Sequence, residues 1–242
     1  MTMAYDALVI AAHPDDAEVQ MGGTIAKLAD QGRRILLVDL CDGEPTDYAP
    51  PGVRAQQAQR AAQILGAERH SLTAQDRFIQ DSIPLRLALA RLIREHRPRW
   101  VFGTTAATVH PDHAAVTPLV TAAVFYARLK NWERVPDAAS LADTAPWEVE
   151  RLFFPHCKME PAWGSAFAFA VDVSGTYARK KQALAAYESI FQVREGDPLL
   201  ALYEAEDQYM GRVLGVAYAE AFRAHSPLLV EDLTVFKRGW HG

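Results

Sequence analysis

The chain is poor in cysteine, in basic charge and in long apolar runs, and each shortage removes a class of protein. Its two cysteines, Cys41 and Cys157, stand far apart and form no Cys-x-x-Cys unit, so neither a disulfide framework nor a cysteine-based zinc site is expected. That usage fits a reducing cytoplasm. A formal net charge of −5 leaves no basic stripe, so neither nucleic acid nor an anionic membrane surface is an expected partner. The apolar run "ALVIAA" near the N-terminus is too short to span a bilayer. No basic segment precedes it and it runs into charged residues, so no targeting segment is read there. Gly-x-Gly-x-x-Gly is missing too, and Gly22 and Gly23 read as close helix–sheet packing rather than as a phosphate cradle.

What is present is apolar substance in short, evenly spaced pieces. Half of the 242 residues are hydrophobic, enough for the core of one large α/β domain, taken here as residues 1–242. "ALVIAA" (7–12), "ILLVDL" (35–40) and "RWVFGT" (99–104) have the continuous apolar character of parallel strands buried on both faces. Between them lie helical periods, from Ala17 to Gln31 with Gly32 as stop, in "GVRAQQAQRAAQILG" up to Gly66, and in "IPLRLALARLIREHRP". Alternation of this kind predicts a Rossmann-like, mostly parallel sheet flanked by helices. A further helix is expected from "HPDHAAVTPLV", starting late or kinked because of Pro118. Residues 131–146 read as a long loop near the site or between subregions. "VERLFF" and "AFAFAVDVS" read as strands, Ser174 as a cap for the next helix, and Leu199 to Ala224 as a last helix, together a C-terminal strand and helix elaboration.

In such sheets ligands bind outside the carboxyl ends of the strands where the winding direction reverses. Two loops are marked in advance, and both carry His-Pro-Asp: His13, Pro14, Asp15 and Asp16 after the first strand, His110, Pro111, Asp112 and His113 after "RWVFGT". Histidine nitrogen and carboxylate oxygen are ordinary zinc ligands, and a catalytic zinc takes three of them while leaving a position for water. His13 and Asp16, three apart across the turn, can converge, whereas adjacent Asp15 and Asp16 point apart and have different jobs. His110 and His113 are also three apart, and spacing does not choose between them as third ligand. Acidic residues at a helix start are favoured by the dipole with no metal at all. Two such motifs at the two expected ligand loops nevertheless exceed what capping explains.

"AAHPDDAEVQMGGTIAKL" followed by "HPDH" resembles the LmbE/PIG-L family of zinc-dependent N-deacetylases acting on N-acetylglucosamine-containing small molecules. "VDLCDGEPT", "VRAQQAQRAAQILGA", "RKKQALAAYES" and "GRVLGVAYAEAF" extend the likeness toward the bacillithiol-pathway branch. The resemblance implies an LmbE-like fold, one Zn2+ per chain on His13, Asp16 and His113 with Fe2+ possible in the same site, and Asp15 as general base. It also implies His110 as oxyanion stabiliser and proton donor to the leaving amine, and Arg54 as a substrate contact. "TTAATVHPDH" departs from the branch, lacking the aromatic and charged residues usual before its second motif.

Amide hydrolysis needs an activated water, charge stabilisation and a proton for the amine, and this set supplies all three. Asp112 is either a partner orienting His110 or the N-cap of the following helix. The expected substrate is an amino sugar such as a GlcNAc-malate-like conjugate, and because related enzymes assemble, a homo-oligomer is expected. Rival readings are an amidase of a thiol conjugate, a non-haem iron enzyme built on the same ligand types, and an amino-sugar binding module. Asp42, Gly43 and Glu44 read as crevice lining or a solvated turn, and Cys41 as a buried thiol. His70, His96, His225 and His241 read as surface residues, and Arg179, Lys180 and Lys181 as a solvated helix face.

Overall fold

The computed structural model describes residues 5–46, 49–105, 110–156, 167–192, 198–232 and 235. Cys157, His241 and residues 106–109 lie outside that set. The strands are β1 (Ala7–Ala11), β2 (Ile35–Asp39), β3 (Glu68–Ser71), β4 (Trp100–Gly103), β5 (Arg151–Pro155), β6 (Phe169–Asp172) and β7 (Ala219–Ala224). The helices are α1 (Asp16–Asp30), α2 (Val53–Leu65), α3 (Ile83–His96), α4 (Pro111–Arg128), α5 (Tyr177–Ala185) and α6 (Pro198–Val213). Among the described residues one sheet runs in the order β3-β2-β1-β4-β5-β7-β6. Its first five strands are parallel, and β7 pairs antiparallel with both β5 and β6.

Alternation along β1 divides the core into two layers. Leu8 and Ile10 point to one face, where Leu87 and Ile93 of α3 and Leu119 and Val120 of α4 cover them. Ala7, Val9 and Ala11 point to the other, against Met21 and Ile25 of α1, Ala61 and Leu65 of α2 and Leu184 of α5. Burial on both faces is why these strands read as unbroken apolar runs.

Several expectations are corrected. β3, "ERHS", is a polar edge strand whose Arg69 is buried while Glu68 and His70 are exposed, and no apolar run announces it. α4 begins directly at Pro111 and continues through Pro118; the carbonyl that loses its partner belongs to Ala114, which is exposed to water. The last helix stops at Val213 and is followed by β7. Gly215, at φ +78°, ends it by a Schellman motif, in which Val216 N–H donates to the Gly211 carbonyl (2.9 Å) and Gly215 N–H to that of Arg212 (3.3 Å). Ser174 caps no helix; its hydroxyl accepts from the backbone N–H of Ala217 and Tyr218 and ties the β6 turn to the start of β7. The 131–147 segment lies away from the crevice, at the opposite end of the sheet. There Trp147 donates to the Pro98 carbonyl just ahead of β4, and Arg94 of α3 gathers the carbonyls of Ala127, Leu129, Leu141 and Thr144.

The double glycine in α1 has a packing reason. The helix is broken at Met21, and the N–H groups of Gly23 and Thr24 freed there donate to the Glu220 carboxylate at 3.0 and 2.7 Å. Lys180 Nζ meets Glu220 and Asp207, each at 2.7 Å, with no exposure of any of the three side chains. A Cβ on Gly22 would stand 3.0 Å from Lys180 Cγ, and one on Gly23 2.7 Å from Val173. Lys180 is therefore a buried counter-ion, not part of a solvated face. His96 is likewise half-buried, packed edge-on against Tyr5.

Candidate metal centre and active site

Strand order reverses between β1 and β4, whose Ile10 and Gly103 lie side by side, so the loops leaving both carboxyl ends open into one crevice. The β1 loop turns sharply. Asp15 sits at φ 111°, left-handed backbone that few residues with a Cβ adopt and that concentrates at functional sites. His13 N–H donates to Asp16 Oδ2 at 3.0 Å, and Val19 N–H to the Asp15 carbonyl at 2.9 Å, which together hold the turn.

The three expected ligand side chains lie together, Asp16 presenting a different oxygen to each imidazole. His13 Nδ1 is 3.1 Å from His113 Nε2, His113 Nε2 is 3.2 Å from Asp16 Oδ1, and His13 Nδ1 is 3.6 Å from Asp16 Oδ2. Donors of a tetrahedral zinc with bonds of about 2.1 Å stand roughly 3.4 Å apart. Two imidazoles and a carboxylate at this spacing fit a divalent cation. Taking one ligand atom from each side chain, two overlapping groups, neither of which includes Asp16, have donors all within 4.8 Å of one another: His13, His110 and His113, and His13, Asp76, His110 and Asp112.

The other face of His13 explains its orientation. Nε2 lies 3.1 Å from Asp112 Oδ2 and 3.0 Å from Asp76 Oδ1, the carboxylate contact that fixes the tautomer of a metal-binding imidazole. Asp112 thus orients His13 through its side chain, whereas His110 is the N-cap of α4, its Nδ1 accepting from Asp112 N–H at 3.3 Å. Asp76 is absent from the sequence expectations. It follows β3, and without that polar strand nothing in the sequence placed its loop at the crevice.

Charge is crowded here. Burial pushes the Asp15 carboxyl up to about 6, with the Arg54 guanidinium opposing and the Asp16 charge reinforcing. Asp16 is driven far down: burial alone would raise it, but His113 and His13 outweigh that. Burial acts to lower His13, yet Asp16, Asp15 and Asp112 carry it up to about 9; His113 rises for the same reason, chiefly from Asp16. His110 moves down, by burial first and then by the two neighbouring imidazoles. Arg54 of α2 lies 3.6 Å from Asp15 Oδ1, and its Nη groups donate to the carbonyls of Gly43 (3.0 Å) and Pro14 (3.1 Å). Gly43, at φ +73°, leaves room for it, since a Cβ there would stand 2.6 Å from Nη1. Cys41 is buried, and burial pushes its thiol up to about 12, which makes it inert.

With this geometry in view the relatives are informative. The sequence signature of the family described as PIG-L, GlcNAc-PI de-N-acetylase, matches residues 8–124, which span both His-Pro-Asp motifs. The chain belongs to the PIG-L/LmbE family. Members are metal-dependent enzymes that hydrolyse N-acetyl amides. The chain is 29% identical to the diacetylchitobiose deacetylase of Thermococcus kodakarensis over 89% of its own length and 81% of the relative's. It is 26% identical to the 1D-myo-inositol 2-acetamido-2-deoxy-alpha-D-glucopyranoside deacetylase of Tsukamurella paurometabola, covering 96% and 92% of the two chains. Among solved structures, the conserved protein TT1542 from Thermus thermophilus superposes with a TM-score of 0.81 at 36% identity over 93% of this chain and 97% of that one.

Proposed function

We propose that this chain removes the N-acetyl group from an N-acetylglucosamine-containing small molecule, with a divalent cation, zinc foremost, held by His13, Asp16 and His113. The convergence of those three donors beside a half-buried carboxylate, Asp15, carries the reading. Both curated relatives named above release acetate from an acetamido sugar, which supports the same reaction class.

Bound there, the cation would supply a Lewis acid toward the amide oxygen and the attacking water. Asp15, with its carboxyl raised to about 6, is ionised near neutrality yet basic enough to accept the proton of that water. Arg54, 3.6 Å from Asp15 Oδ1, holds that carboxylate in place, and its guanidinium is the proposed substrate contact. His110 accepts at Nδ1, so its ring proton resides on Nε2. As a neutral Nε2–H donor it can stabilise the oxyanion, and the proton that the departing amine takes up is the one Asp15 removed from the water. Water adds across the C–N bond, and acetate and the free amine leave.

Among the described residues no helix is long and apolar enough to cross a membrane. The proposal keeps the chain as one domain that assembles with copies of itself. Its test is acetate release from N-acetylglucosamine and N,N′-diacetylchitobiose by protein of measured metal content. Fully loaded protein that releases none from either sugar refutes the reading.

A further inference from the structure

Gln20 of α1 is buried, and its side-chain amide closes a two-point clasp on the backbone of Thr105, two residues past the end of β4. Thr105 N–H donates to Gln20 Oε1 at 3.0 Å, and Gln20 Nε2 donates to the Thr105 carbonyl at 3.3 Å. Thr105 is itself pinned. Its hydroxyl donates to the Pro155 carbonyl at the end of β5 at 2.7 Å, and the N–H of Thr104 before it donates to the Ile10 carbonyl of β1 at 2.9 Å. The clasp therefore joins α1 to the carboxyl edge of the sheet, at the strand that leads into the second His-Pro-Asp motif.

α1 needs such a tie because it is interrupted just beyond Gln20. Met21 leaves helical geometry at φ −146°, ψ 24°, so residues 16–20 form a short first segment that is not held by an unbroken ladder to the rest of the helix. Side chains hold it instead. Glu18 is gripped from the β3 side by Arg69 at 2.7 Å, and Gln20, about 200° further around the helix, is gripped from the β4 side. Asp16 lies four residues before Gln20 and so shares its helical face. That face turns toward α4, where Asp16 Oδ1 stands 3.2 Å from His113 Nε2.

We propose that Gln20 is a positioning residue of the metal centre, holding Asp16 at ligand distance from His113 by locking the first turn of α1 onto the exit of β4. It touches neither cation nor substrate. The inference rests on the metal-centre reading above and adds to that site a side chain on which its geometry depends.

The test compares wild type with Gln20→Leu, which keeps the bulk and loses both hydrogen bonds, by chelator competition for zinc, by the visible spectrum of the Co2+-substituted protein and by urea midpoint. Zinc affinity should fall about tenfold, the lower end for a partner that orients a metal ligand, and the Co2+ bands should shift as the ligand geometry changes. With zinc saturating, kcat for N-acetylglucosamine should drop about tenfold or more while KM holds, because a displaced ligand set impairs the chemical step and not the binding of the sugar. A lowered midpoint with wild-type zinc affinity and an unaltered Co2+ spectrum overturns the proposal and leaves Gln20 as a partner for the strand exit alone. Should Gln20→Leu fail to fold, Gln20→Asn, one methylene short of reaching both Thr105 groups, decides: zinc binding about tenfold weaker supports the proposal, and wild-type affinity overturns it. The metal measurements need no substrate, so they decide the role of Gln20 even if no sugar is hydrolysed. Wild type that binds no zinc overturns the metal-centre reading, and this inference with it.

Discussion

Arg69 clamps Glu18 with both terminal nitrogens, Nη1 at 2.7 Å from Oε1 and Nη2 at 3.0 Å from Oε2, with no part of either side chain reaching solvent. The same guanidinium meets Asp39 at 2.9 Å through Nε, the Tyr187 hydroxyl at 2.7 Å and the Ala58 carbonyl at 2.7 Å. One cation on an edge strand thus joins β2, α1, α2 and the segment after α5, immediately behind the turn that carries Asp15. Removing it strands two buried carboxylates. Arg69→Met should cost about 3–5 kcal/mol, the usual loss when one partner of a buried ion pair is deleted. Arg69→Lys should recover less than half of that, because an ammonium does not reproduce the fork. Urea midpoints at neutral pH measure both, and an unchanged midpoint in Arg69→Met would sink the assignment.

Asp39 gives the cluster a pH signature. Burial pushes its carboxyl up to about 7, with Arg69 opposing and Glu18, Asp16 and Asp15 adding to the rise. An unfolded aspartate titrates near pH ~3.9. Between roughly pH 4 and 7 the folded chain therefore holds a proton that the unfolded chain has released, so this group's contribution to stability falls as pH rises. Asp39→Asn is neutral throughout and loses that slope. Between pH 5 and pH 8 wild type should lose about 2–4 kcal/mol more than Asp39→Asn. Equal pH slopes in paired urea titrations would show that Asp39 is ionised across the range.

How much of this was legible depended on burial. β1, β2 and β4 are covered on both faces and announce themselves as apolar runs, which placed the crevice and the two His-Pro-Asp loops in advance. β3 is an edge strand, and its one buried residue is Arg69, so both the strand and the Asp76 loop behind it escaped notice. β7 begins "AEAF", good helix formers, and tertiary contacts overrode that preference: Glu220 is drawn inside to receive Gly23, Thr24 and Lys180. Gly215 was the available stop signal. Lys180 sits in a run of three cations, and its partners lie 27 and 40 residues away, a distance over which no local pattern reaches. The 131–147 loop has the composition of a site loop, but only Arg94 and Trp147 reveal that it lies at the far end of the sheet.

Asp112 does two jobs whose consequences separate. Its carboxylate orients His13 and also receives two backbone N–H groups from the 77–79 turn. Partners that orient a metal-bound imidazole typically contribute about 10- to 100-fold to metal affinity. Asp112→Ala should weaken zinc binding by that order in a chelator competition. Unaltered zinc affinity would leave Asp112 as an anchor of the turn alone.

Asp15 and Asp16 are neighbours in sequence with opposite electrostatic fates, one carboxyl pushed up to about 6 and the other driven well down. The left-handed Asp15 backbone is what turns the two side chains apart. Asp16 faces the imidazoles, at 3.2 Å from His113, while Asp15 faces Arg54 at 3.6 Å. A residue that moves a proton and one that holds a cation fail differently when replaced. Asp15→Asn should lower kcat by about 10²- to 10⁴-fold, the contribution of a positioned acid or base, with zinc content by elemental analysis equal to wild type. Asp16→Asn should lose zinc and activity together. If Asp15→Asn emerges from purification stripped of its metal while Asp16→Asn keeps it, the two roles are exchanged and the proposed proton path from water to Asp15 is wrong.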